Sequence, residues 1–193
     1  MKTTLIASAL LALAAHSQAA VYTGATGSAA VDASFATASE LYFDIDFAAR
    51  ATVTLNFVVE AQDLTQDALS FNALVRNQSG LGFEKASVKL DGARFAAPAG
   101  TVTTDGFQPV LATGSSSDAI WASFGGPGVT TDFYIGNPLL QAGAANWTLD
   151  LSGHQVGDAF SITVAVPEPQ TYALMLSGLA LLGWAARRQR KGR

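Results

Sequence analysis

Apolar and polar side chains alternate most cleanly from residue 41, where Leu41, Phe43, Ile45 and Phe47 interleave with Tyr42, Asp44 and Asp46. A period of two sends the two sets to opposite sides of an extended chain, so the pattern predicts a strand with one buried and one solvated face. Residues 51–60 repeat it, with Val53, Leu55 and Phe57 against Thr52, Thr54 and Asn56, and Ala48-Ala49-Arg50 is the turn between them. Shorter runs of strand type follow at 69–76, 86–90, 94–97, 100–104, 120–124, 131–135, 147–151 and 159–166. They are separated by turn sequences such as Asn77-Gln78-Ser79-Gly80, Gly114-Ser115-Ser116-Ser117-Asp118 and Gly125-Gly126-Pro127-Gly128, whose residues favour tight bends. Asp91-Gly92, between two alternating runs, predicts a hairpin. Residues 21–39 read as a loose lead-in with room for one edge strand, and 61–67 as a loop or helical turn. Many short strands without a long 3.6-residue period predict an all-β fold, an antiparallel β-sandwich or jelly-roll-like domain over 20–165.

Both flanks depart from this pattern. Met1-Lys2, an apolar stretch at 5–15 and Ser17-Gln18-Ala19 have the order of a secretory signal peptide, with cleavage expected after Ala19 by a signal peptidase of the secretion machinery. At the other end, Val166-Pro167-Glu168-Pro169 leads into 17 uncharged residues, 170–186, and then Arg187, Arg188, Arg190, Lys191 and Arg193. As a helix the run reaches about 25 Å, short of a roughly 30 Å hydrocarbon core. Tyr172 and Trp184 near its ends and snorkelling cations make it a single membrane-spanning helix with a cytoplasmic basic tail. Two prolines keep the segment before it extended, which suits a protease cleft.

Charge changes the picture once the flanks are set aside. The whole chain carries −4, but residues 20–165 hold five cations against fourteen carboxylates, a balance of −9. An acidic body argues against nucleic acid as a partner. No cysteine is present, which removes disulfides, thiolate metal sites and cysteine nucleophiles.

Candidate chemistry in the body is sparse. His154 is its one histidine and reads as a solvated loop residue without a recognisable triad around it. Asp44 and Asp46 share one strand face about 6.6 Å apart, a spacing that would suit a glycosidase pair or calcium; the plainer account is a solvated strand face. Trp121, Tyr134 and Trp147 are candidate glycan contacts as an aromatic platform, with core burial as the rival account. No catalytic residue, metal or cofactor is assigned, and the body is expected to be non-enzymatic.

Pro167-Glu168-Pro169, a short hydrophobic helix and an Arg-rich end, in that order, resemble the sorting signal of PEP-CTERM proteins over 166–193. The resemblance implies recognition by exosortase, a transpeptidase-like membrane protease. It implies an inner-membrane intermediate, tail removal and delivery to the surface or matrix of a Gram-negative bacterium making exopolysaccharide and biofilm. A carbohydrate-binding module, or a body permanently anchored in the inner membrane, are the alternatives. The stretches around 69–92 and 146–153 are similar to the subgroup named for an FxDxF motif, although the cluster here is Phe43-Asp44-Ile45-Asp46-Phe47, with Ile45 where that motif has Asp.

Overall fold

A computed structural model describes residues 20–66, 69–105, 109–125 and 132–167. The signal peptide expected at 1–19, the helix expected at 170–186 and the basic tail therefore lie outside the described residues, as do Glu168 and Pro169. Among the described residues no helix is long and apolar enough to cross a membrane.

The described chain forms thirteen strands: β1 (Val21–Gly27), β2 (Ala29–Asp32), β3 (Glu40–Phe47), β4 (Thr52–Val58), β5 (Leu69–Asn77), β6 (Lys85–Asp91), β7 (Arg94–Phe95), β8 (Val102–Thr104), β9 (Val110–Ser115), β10 (Ala119–Phe124), β11 (Asp132–Ile135), β12 (Trp147–Asp150) and β13 (Ala159–Ala165). They build two sheets. One has the order β1-β4-β13-β6-β10-β9; the other runs β2-β3-β5-β11-β8, with β12 bridging β5 and β7. The expected all-β sandwich is therefore the architecture, and residues 61–66 form a turn, as read from the sequence.

The alternation explains the layers. In β3 every second residue is buried, and Leu41, Phe43, Ile45 and Phe47 are fully so. They face Val53, Leu55 and Phe57 of β4, and all belong to a single apolar cluster. Rings lock the two sheets together: Phe43 meets Phe57 edge-on at 5.7 Å, and Phe124 of β10 meets Phe133 of β11 at 5.1 Å. Burying each such side chain contributes about 1.5–3 kcal/mol before entropy is counted.

Two local expectations are corrected. Asp91-Gly92 is a turn but not a hairpin: β6 pairs with β13 and β10, whereas β7 pairs with β12 in the other sheet. Gly92 has φ +79°, and a Cβ there would meet the Ala159 carbonyl oxygen at 2.8 Å, so the chain passes tightly against β13 as it changes sheets. The hairpin lies instead between β9 and β10, closed by the Ser116 N–H to Ala119 O bond of 2.8 Å. In addition, β3 and β5 run parallel, from Glu40 opposite Ser70 to Phe47 opposite Asn77, because β4 between them in sequence belongs to the opposite sheet.

Candidate functional site: the sorting junction and the Trp121 face

The body ends sharply. Ala165 closes β13 between Thr52 and Ser87, and the Val166 N–H continues the ladder to Ala51 O at 2.9 Å. Val166 is fully buried, while Pro167 is exposed. A proline has no N–H to extend a ladder. The first residue of the Pro-Glu-Pro tripeptide thus stands immediately outside the last packed residue among those described.

The three aromatic candidates do not converge. Trp147 is 4 % exposed, its Nε1–H donates to Thr101 O at 2.9 Å, and its ring meets Phe95 at 5.2 Å, so it is a core anchor, as the burial account expects. Tyr134 is half-buried on the outer side of the sheet containing β11, between Leu74 and Thr103, and burial raises its hydroxyl pKa. Trp121 is on the outer side of the other sheet. It is 49 % exposed, which corrects the core account for this residue.

Trp121 lies where it does because of Gly114. The two residues pair across β10 and β9, and a Cβ on Gly114 would fall 2.4 Å from the indole Cε2 and Cζ2. Only glycine leaves room for the ring against the β9 backbone. Beside it runs a groove of about 440 Å³ with Lys85, Ser87, Ser123 and Pro167 in its walls. Lys85 and Lys89, both exposed, take part in no salt bridge among the described residues.

Asp44 and Asp46 prove to be tied down. The Arg76 guanidinium donates to Asp44 Oδ2 through Nη2 and to Asp46 Oδ1 through Nε at 2.7 Å. Burial nevertheless pushes the Asp44 carboxyl above its ordinary value, the guanidinium opposing it, and Asp44 Oδ1 is buried without a hydrogen bond. One arginine spanning two carboxylates accounts for the pair as a fastening between β3 and β5. Among the described residues, no three His, Asp or Glu side chains group so as to hold a metal ion.

His154 is less solvated than its loop suggests. It is half-buried, with Nδ1 3.0 Å from the Leu151 carbonyl oxygen and Nε2 against that of Gly92, which ties its loop to the sheet-changing turn. Arg94, Asp150 and Ser152 share an adjoining hollow of about 480 Å³ with it. Asp150 there accepts the Ser152 N–H at 2.8 Å, and its bonds to Ser152 lower its pKa. The feature that sequence reasoning missed is Asp63, a buried carboxylate in the turn after β4; its contact is 43 residues away, beyond any local pattern.

The family model of the PEP-CTERM protein-sorting motif matches residues 165–191. The chain therefore carries that sorting motif, with Pro167, Glu168 and Pro169 inside it, and the motif marks an exported protein addressed to exosortase. The match leaves the body, including the cluster at 43–47, uncovered. No curated protein and no solved structure matches the chain.

Proposed function

We propose that this is a non-enzymatic surface or matrix protein whose β-sandwich is the delivered part. A signal peptide at 1–19 is removed during export, the helix at 170–186 holds an inner-membrane intermediate with Arg187 to Arg193 in the cytoplasm, and exosortase cuts at Pro167-Glu168-Pro169. The released body associates with exopolysaccharide in the biofilm. One observation supports this reading: among the described residues Val166 is the last that is packed and Pro167 is exposed, so a protease reaches the start of the tripeptide without opening the sandwich. Replacing Pro167 and Pro169 by alanine tests it. The altered chain is expected to stay full-length in the inner-membrane fraction of its host; normal release would overturn the tripeptide's role.

A second reading concerns what the body does on arrival, and the Trp121 face favours it. An exposed indole, flanking hydroxyls and two lysines form a surface suited to an anionic, polyhydroxylated polymer. Retention of the protein in gels containing polygalacturonate should fall about fivefold or more in Trp121→Ala and stay unchanged in Tyr134→Ala. For this test the parent and both variants are prepared with the five tail cations replaced by Gln, so that the tail's side chains contribute no charge. Equal retention in neutral dextran would remove the preference for charge.

A further inference from the structure

Asp63 is 5 % exposed. Its Oδ1 accepts the Ala20 backbone N–H at 2.8 Å and Gln66 Nε2–H at 3.4 Å, and its Oδ2 accepts the Glu60 N–H at 2.6 Å. All three donors are neutral. No salt bridge among the described residues involves Asp63, so among them this carboxylate sits away from water without a cation, which is an expensive arrangement. Ala20, itself 1 % exposed, directly precedes β1, an edge strand of its sheet. It is also the first residue after the expected signal-peptide cut.

The geometry points to Asp63 as the counter-ion of a new amino terminus at Ala20. This deepens the processing reading above and rests on it for the cut. In hydrolysis by a signal-peptidase-type protease, water adds to the Ala19 carbonyl carbon and the C–N bond to Ala20 breaks. Ala19 leaves as a carboxylate, and the Ala20 nitrogen keeps the bonding electron pair and takes up protons to become an ammonium group. The nitrogen that stands 2.8 Å from Asp63 Oδ1 as an amide then carries the missing positive charge. A hydrogen bond from a neutral amide becomes a buried ion pair, fastening the start of β1 beside the turn after β4. Maturation thus completes the fold's charge balance at the point where the chain is cut.

The test is made on the full chain exported by a host that has signal peptidase but no exosortase, purified in neutral detergent. Intact mass reads the start. A start other than Ala20 overturns the processing reading and the inference with it. With a start at Ala20, acylation by an amine-selective reagent near neutral pH should modify the α-amino group at least about tenfold more slowly in the native chain than in urea. Lys85, Lys89 and Lys191 serve as internal references. Asp63→Asn should lower Tm by about 5–10 °C, and acetylating the amino terminus should lower Tm in the parent but not in Asp63→Asn. An α-amino group that reacts equally fast in both states, with Ala20 confirmed as the start, overturns the inference alone. That readout needs no variant, so it decides the matter even where Asp63→Asn does not fold.

Discussion

On the sheet made of β1, β4, β13, β6, β10 and β9, the strands carry Lys85, Lys89 and one carboxylate, Asp91, at the end of β6. The strands of the other sheet carry Arg76 and Arg94 against six carboxylates: Asp32, Glu40, Asp44, Asp46, Asp132 and Asp150. Threonine and serine dominate the outer side of the first. On the second, charges are engaged within the sheet, as in the ion pairs of Arg76 with Asp44 and Asp46 or the hydrogen bond from the Asn72 amide to Glu40. The body's balance of −9 therefore describes neither face. It teaches that polar groups can be outward-facing for two different reasons: to fasten strands, or to remain available to a partner.

If that distinction is right, changes on the acidic face should cost stability and changes on the Trp121 face should not. The largest effect is expected at Asn72, a fully buried polar residue whose Oδ1 accepts the Asn137 N–H at 2.8 Å and whose Nδ2 donates to Glu40. Asn72→Ala leaves that N–H without its acceptor and should cost about 2–3 kcal/mol in urea unfolding. Next is Arg76→Met, which leaves two neighbouring carboxylates facing each other. With Arg76 38 % exposed, water screens part of the effect, and about 1–2 kcal/mol is expected.

A smaller effect is a matter of pH. The folded pKa of Asp44 is raised, first by burial, so the stability it contributes is complete below its ordinary value of 3.8 and is lost as pH rises through the folded value. The parent should therefore gain stability relative to Asp44→Asn between pH 7 and pH 3, by less than about 1 kcal/mol. Asp32, Asp118 and Asp150 have lowered values, through hydrogen bonds to Ser34, Ser116 and Ser152 respectively. Their contributions run the other way, complete above 3.8 and lost as pH falls. Smallest of all should be the joint change Lys85→Gln and Lys89→Gln on the opposite face, within about 0.5 kcal/mol by thermal or urea unfolding. A cost as large as that of Arg76→Met would erase the contrast between the faces.

How much of this was legible depends on whether a residue's role is local. Strand β3 could be read because burial of one side imposes a period of two on its eight residues. Strand β9 could not: it is an edge strand whose residues are mostly exposed, so no buried row marks it. Asp91-Gly92 announced a turn, but which sheet the chain enters next is set by long-range pairing of β7 with β12. The parallel pairing of β3 with β5 escaped for the same reason. Trp121 and Trp147 sit in similar alternating runs, yet one is exposed and the other buried. What separates them is the neighbour each ring meets: Gly114, across the β9–β10 hairpin, lies under the first, whereas the Thr101 carbonyl that holds the second is far along the chain. The sorting tripeptide, by contrast, is a contiguous signal and could be read directly.

Intact mass of the protein recovered from its host, medium against membranes, tests the central claim most directly. A species starting at Ala20 and ending within Pro167-Glu168-Pro169, found outside the inner membrane, is the predicted result. A membrane-bound species that still ends at Arg193 would contradict it and leave a permanently anchored sandwich in its place.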